Sequence, residues 1–374
     1  MSFGAQAQTS DDSCRRLILY SAHDGEQVDL FVMETDGSQV RRLTNTEERE
    51  LGYSWSPDGN RIVFADSNFV EDYSHLFVLD VTTLEITQLT PPSMYVPARF
   101  VWSPYEDVLY LVASVSDERS DLYKYDFHTA EFQNLTNSSE QTEAIVYVIQ
   151  GRYLIYNISD DRTNWLAHFD MLNNQTERLV EWNSRYSFES FNLLMENENS
   201  RDTGVYDVVN VLTLERSILD MNHFVFQGVA WSPSSEYVAL SNGVGYSVDH
   251  SVLLMNVNNR QSMMFEQGYR ASVWSPNSQY LLLWHNIGSI QMFDTVSASL
   301  TEVATEVWHD PYSIPPVWSP ESDSFLYLSL TETESPTGVH EYDIYSYNLE
   351  TNSVTNLTNS SLDEYVPVFS PCLD

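Results

Sequence analysis

Short apolar runs rich in branched and aromatic residues alternate with polar turns along the chain, and they fall into a repeating order. After the turn Asp58-Gly59-Asn60 comes Ile62-Val63-Phe64, then Leu76-Phe77-Val78-Leu79-Asp80, then a third segment ending in Leu89-Thr90. Each reads as a strand, a few β-favouring residues bounded by turn formers. A fourth strand carries a short anchor: an aromatic residue followed by Ser and usually Pro. The anchor is Trp55-Ser56-Pro57, and it recurs at Trp102, Trp231, Trp274 and Trp318. Phe369-Ser370-Pro371 is a last version, and Tyr147 and Tyr186 mark two degenerate copies. Successive anchors lie about 45 residues apart on average, a period that belongs to repeat architectures.

Strands in units of this length predict an all-β fold, a β-propeller of four-stranded antiparallel blades. The chain ends set the count. Ile18-Leu19-Tyr20, Leu30-Phe31-Val32 and Arg42-Leu43-Thr44 supply three strands with no anchor strand before them. Val366-Pro367-Val368-Phe369 supplies an anchor strand with nothing after it. Joined, the two ends complete one further blade, so the expectation is an eight-bladed ring closed by the N-terminal strands pairing with the C-terminal one. Closure of this kind leaves no free sheet edge at the seam. The repeat runs on without a long linker, so residues 14–374 are expected to form one domain, preceded by a disordered segment, 1–13.

Three recurring residue types take structural roles in this scheme. Second strands end in Asp80, Asp126, Asp170, Asn210, Asn256, Asp294 and Asn348, where a side-chain oxygen accepts a backbone N–H and starts the next hairpin. The repeated Trp is expected to pack between neighbouring blades, where a large ring buries much apolar area. Aligning Ile18 with Ile62 and Phe369 with Trp55 puts both cysteines, Cys14 and Cys372, at the position of Asp58. A Cys14–Cys372 disulfide across the seam follows as an expectation, and with it an oxidising compartment.

At its anchors the sequence resembles the TolB-type propeller repeat. Trp55-Ser56-Pro57-Asp58-Gly59 matches the turn of that repeat, and Leu30-Phe31-Val32, Asp36-Gly37 and Arg42-Leu43-Thr44 match its later strands. The resemblance covers residues 14–374 and implies the propeller fold. On function it implies less, because such repeats serve periplasmic scaffolds, extracellular binding proteins and propeller domains of enzymes alike. TolB itself carries six such blades and a separate N-terminal domain, and both differ from the count reached here. The prolyl oligopeptidase family pairs a similar propeller with an α/β-hydrolase, but the sequence has no Gly-x-Ser-x-Gly elbow.

Charge narrows the partners. The formal net charge is −37, with one lysine, Lys124, beside sixteen arginines. Such a surface repels nucleic acid and anionic membranes, while a cationic ligand, a metal ion or a basic protein face remains compatible with it. No apolar run is long enough to span a bilayer, so no membrane insertion is expected. Ala5-Gln6-Ala7 reads as the remnant of a secretory signal, which points to a secreted or periplasmic protein, and a monomer is expected. Six Asn-x-Ser/Thr sequons (Asn134, Asn137, Asn157, Asn174, Asn356 and Asn359) matter only in a glycosylating host.

Candidate chemistry gathers on one face of the propeller, where the loops leading into the anchor strands meet those between first and second strands. Its carboxylates are Glu47, Glu48, Glu50, Glu71, Asp72, Asp117, Glu118, Asp160, Asp161, Asp249, Asp310, Glu332, Glu334, Asp363 and Glu364. An acidic funnel suits Ca²⁺, which prefers oxygen ligands, and equally serves as a plain solvated surface. Three longer loops, 66–75, 305–316 and 331–343, are the expected contact surfaces. Trp308, His309, Asp310 and Tyr312 are the binding candidates of the second loop, since exposed aromatics make interface anchors. Arg99 and Arg270 join them, and with Arg49 and Arg185 they precede anchors and are expected to pair with nearby acids. The sequence thus favours a non-catalytic propeller binding a protein or surface glycan, with no cofactor. The alternative is a metal-dependent hydrolase or lyase at the channel mouth, with His309, Asp310 or His75 among its ligands.

Overall fold

The computed structural model describes residues 14–47, 49–67, 74–96, 100–116, 119–136, 142–149, 152–159, 164–182, 186–189, 192–196, 205–210, 213, 215–220, 228–242, 250–266, 268–285, 288–305, 307, 315–330 and 342–373. These residues form 32 strands in seven sheets, with no helix among them. Six of the sheets have four antiparallel strands each, in chain order, over 100–134, 142–182, 186–220, 228–265, 269–304 and 317–356. The degenerate anchors Tyr147 and Tyr186 stand in the first strands of their sheets, Thr142–Ile149 and Tyr186–Glu189. The first of these runs on past Tyr147, where no Ser-Pro follows to turn it.

The remaining sheet has eight strands. It comprises β1 (Leu17–His23), β2 (Val28–Glu34), β3 (Arg41–Arg42), β4 (Arg49–Trp55), β5 (Arg61–Ser67), β6 (Ser74–Asp80), β7 (Ile86–Gln88) and the C-terminal strand Asp363–Phe369. Its two halves meet at a single parallel pair, Val28 with Arg49. In the first half β1 lies between β2 and the C-terminal strand, antiparallel to both, with Ile18 opposite Phe369 and His23 opposite Asp363. Ser370 N–H donates to the Leu17 carbonyl at 2.8 Å, and Leu373 N–H donates to Arg15 at 2.9 Å. A Cys14–Cys372 disulfide closes this end, with Cα atoms 5.1 Å apart, as the alignment of the two cysteines predicts.

The anchor owes its Ser to a turn. Ser56 N–H donates to the Arg61 carbonyl at 2.8 Å while Ser56 Oγ accepts the Arg61 N–H at 2.9 Å. Ser232 and Ser275 pair in the same way with Tyr237 and Tyr280. Three residues after each Ser the backbone turns left-handed, at Gly59 (φ 69°), Ser235 (60°) and Ser278 (64°). Only Gly59 carries a second constraint: a Cβ there would stand 2.2 Å from the Leu373 side chain, which the chain end lays over the turn.

Neighbouring anchor turns touch. Arg61 pairs with Asp107, Ser234 N–H donates to Ser278 Oγ at 2.8 Å, Asn277 N–H donates to Ser322 Oγ at 3.1 Å, and Arg16 pairs with Glu321. The five anchor tryptophans are buried: Trp102, Trp231, Trp274 and Trp318 pack against the preceding sheet as expected, and Trp55 packs against β1 and β2. Trp102 lies on Val63, Ala65 and Leu76, and Trp274 lies on Ala230, Ala239 and Val252, its indole N–H donating to the Ala230 carbonyl at 3.0 Å. The core is therefore a series of apolar layers between successive sheets rather than one centre.

The residues ending second strands behave as their type requires. Asp80 Oδ1 accepts N–H groups from Thr82 and Thr83 at 2.9 and 2.8 Å, and Asp126, Asp170, Asn210, Asn256, Asp294 and Asn348 accept N–H groups two or three residues on.

Candidate functional site

Because strands alternate in direction, the anchor turns and the Asp/Asn hairpins occupy one end of each sheet, and the starts of anchor strands and of second strands occupy the other. Of the candidates on that other end, Trp308, His309, Asp310, Tyr312 and Arg99 lie outside the described residues, as do Arg185 and most of the acids of the expected funnel. Arg270 is on the strand Tyr269–Trp274, opposite Trp284. Glu47 is exposed, as a funnel acid would be. Glu50 and Glu364 are not: each is 1% exposed. Among the described residues no three His, Cys, Asp or Glu gather as metal ligands.

Among the described residues this end carries a polar device repeated in four units. The closing Leu-Thr lies just past its short fourth strand and finishes the ladder with a side chain. Leu43 N–H donates to the Leu30 carbonyl and Leu30 N–H donates to Thr44 Oγ1, both at 2.8 Å. Leu89-Thr90 treats Leu76 alike, Leu135-Thr136 treats Leu122 alike, and Leu357-Thr358 treats Ile344 alike. Each Thr hydroxyl also faces the residue before that apolar one. Thr44, Thr136 and Thr358 donate to Asp29, Asp121 and Asp343 at 3.2, 3.3 and 3.3 Å. Thr90 Oγ1 lies 3.4 Å from His75 Nδ1. His75, a candidate metal ligand by sequence, thus holds the structural place that Asp takes in the other three units.

The remaining oxygens of these aspartates are also used. Arg42 pairs with Asp29, Asn134 Nδ2 donates to Asp121 at 2.7 Å, and Asn356 Nδ2 donates to Asp343 at 2.7 Å. Thr46 and Ser360 bring their N–H groups to Asp29 and Asp343, at 3.2 and 3.3 Å. Their hydroxyls donate to Glu50 and Glu364 in turn. Two acid pairs built to one plan result, Asp29 with Glu50 and Asp343 with Glu364. Burial, with Asp29 and Asp66 close by, pushes Glu50 up to about 7 against the Thr46 hydrogen bond. Burial pushes Glu364 up to about 8 against its Ser360 hydrogen bond, helped by the charge of Asp343. Glu50 Oε2 is buried with no hydrogen-bond partner among the described residues. Chemically these pairs are suited to holding protons.

The acids of this device escape a reading by composition, which counts them as surface charge. A signal is nonetheless present in the spacing. Asp29, His75, Asp121 and Asp343 each stand 15 residues before their closing Thr.

Comparison with known proteins agrees with this architecture. No family model matches the chain. The Tol-Pal system protein TolB of Francisella tularensis subsp. mediasiatica is 28% identical over 75 residues, which is 20% of this chain and 17% of that protein. TolB of Roseobacter denitrificans is 36% identical over 62 residues, 17% of this chain and 14% of that one. The chain thus matches about a sixth of the length of these relatives. Among solved structures, a post-proline cleaving enzyme from Rickettsia typhi superposes with a TM-score of 0.56 at 11% identity, over 90% of this chain and 58% of that one. An oligogalacturonate lyase in complex with manganese gives 0.51 at 13% identity, over 85% of this chain and 94% of that one. At such identities the structures speak for the fold alone. In sequence and in its all-β, propeller-like fold, the chain resembles the TolB-type propeller repeat proteins.

Proposed function

We propose that the chain is a secreted or periplasmic scaffold without catalysis of its own, an eight-bladed propeller that binds a protein or surface glycan through the face holding the loops 66–75, 305–316 and 331–343. The observation that carries the reading is the use made of the repeated polar residues. Anchor Ser, hairpin Asp and Asn, closing Thr and the acids beneath it are all spent on turns and ladder ends. Variation between units is left to the loops, where binding surfaces on a rigid frame commonly lie.

The ring is supported by the pairing of β1 with the C-terminal strand and by the parallel contact that divides the eight-stranded sheet into two four-stranded halves. Counting those halves beside the six other sheets supports the reading of eight blades in one domain, 14–374. The disulfide supports an oxidising compartment. The relatives are Tol-Pal system proteins, which supports a protein as the partner.

A photo-crosslinking residue placed at Trp308, and separately at Val296 in a hairpin of the opposite end, tests the face. Binding through the loops gives adducts from position 308 and none from 296. Adducts from 296 alone would overturn the assignment.

A further inference from the structure

The two acid pairs flank the place where the chain ends meet. Glu364 is on the C-terminal strand, directly opposite Ala22 of β1, and Glu50 is on β4, which touches β2. The N-terminal strands β1–β3 are held between these two positions. Asp343 Oδ1 and Glu364 Oε2 lie 3.3 and 3.4 Å from the one Thr358 hydroxyl, a carboxyl pair that is held more easily with a proton than with two charges. Both of its members are 1% exposed, and the groups that bond to them (Asn356, Thr358 and Ser360) are neutral. Tyr20 of β1 also feels the charge of Glu364. Next along the strand, Asp363 takes the Tyr365 hydroxyl and faces His23. Around Glu50, Asp29 pairs with the Arg42 guanidinium, which also reaches Asp24 at 3.7 Å, and Arg49 precedes Glu50 on β4. Asp66 lies directly across from Glu50 on β5, and its own cross-strand neighbour is His75.

We propose that this arrangement makes the seam a proton-held latch: with Glu364 and Glu50 protonated, β1–β3 stay docked between the C-terminal strand and β4, and loss of those protons loosens them. The inference rests on the pairing of the chain ends and is independent of any binding partner. Ionising Glu364 leaves two carboxylates around one hydroxyl in a dry site. Ionising Glu50 adds a charge beside Asp29 and Asp66. The sign follows: for acids held protonated in the fold, stability is full at low pH and falls as pH rises through neutrality. The disulfide keeps the ends tethered, so the opening is local.

Amide hydrogen exchange of β1, corrected for the intrinsic rate, tests the proposal on the intact chain between pH 5.5 and 9. Protection of Leu19–Ala22 is expected to fall about tenfold or more in the wild type, the equivalent of one pKa unit of linkage. The Glu50→Gln/Glu364→Gln variant, which mimics the protonated acids, is expected to hold its protection across the range. An identical fall in both proteins would overturn the latch, because it would trace the loss to the overall negative charge. Carbon-13 titration of the Glu364 carboxyl in the wild type decides independently, should the variant not fold. A midpoint above pH 7 is expected, and one below 5 would overturn the proposal.

Discussion

The Tyr53 hydroxyl donates to the Val366 carbonyl at 2.6 Å, so a side chain of β4 fastens the C-terminal strand across the seam. The same oxygen accepts the Ser21 N–H at 2.8 Å. The need for it comes from a bulge, since Leu19 faces Val368 and Ser21 faces Tyr365, leaving Val366 and Pro367 against Tyr20 alone. Val366 is left-handed there (φ 47°), an uncommon state for a branched residue, and its carbonyl leaves the ladder. Tyr53→Phe keeps the ring and removes the bond, so buried backbone groups lose their partner. Denaturant unfolding is expected to show a loss of about 1–3 kcal/mol. No loss would mean that the bulge is satisfied without Tyr53.

The disulfide is expected to matter for stability well beyond its own surroundings. Cys14 and Cys372 are 358 residues apart in sequence, so the bond constrains nearly the whole unfolded chain. Replacing both with Ser is expected to cost about 2–5 kcal/mol, read as a lower melting temperature and matched by reduction of the wild type. A melting point indifferent to reductant would contradict this.

Thr358 tests the closing device. Thr358→Val preserves shape but takes the acceptor from the Ile344 N–H, which sits 3.0 Å from the hydroxyl oxygen. A cost of about 1–3 kcal/mol is expected, while Thr358→Ser keeps most of the stability. Equal behaviour of the two variants would assign the residue to packing alone.

Acid should weaken a different part of the molecule. The Arg152 guanidinium, 2.8 Å from Asp170, holds that carboxyl down at about 2, with help from the Leu172 N–H. For an acid with a depressed pKa, the stabilisation is full above its ordinary value near 4 and is lost as pH falls towards 2. Arg152 is partly exposed, so solvent screening keeps the contribution small. Arg152→Ala is expected to flatten the decline in stability between pH 4 and 2. An unchanged decline would place the acid sensitivity elsewhere.

The repeated parts of the fold were legible because each repeats a local physical rule. Trp55-Ser56-Pro57 announces a turn closed by its Ser, Asp80 announces a hairpin, and the two cysteines announce where the ends meet. Glu50 and Glu364 escape the sequence for the opposite reason. Nothing local separates Glu50 from exposed Glu47. Burial of Glu50 depends on Asp29 and Thr46 arriving from the unit before it, a tertiary relationship that only the 15-residue spacing hints at. Val366 looks like an ordinary strand residue in the sequence, because a bulge is fixed by the partner strand rather than by the bulged one.

The most direct test of the scaffold reading is quantitative capture of partners by the wild-type protein and by Trp308→Ala/Tyr312→Ala, side by side, from extracts of the source cells. The account predicts that a partner held by the wild type is lost, or retained at least tenfold less, by a variant with an unchanged melting temperature. An identical set of captured partners at identical yield would contradict it.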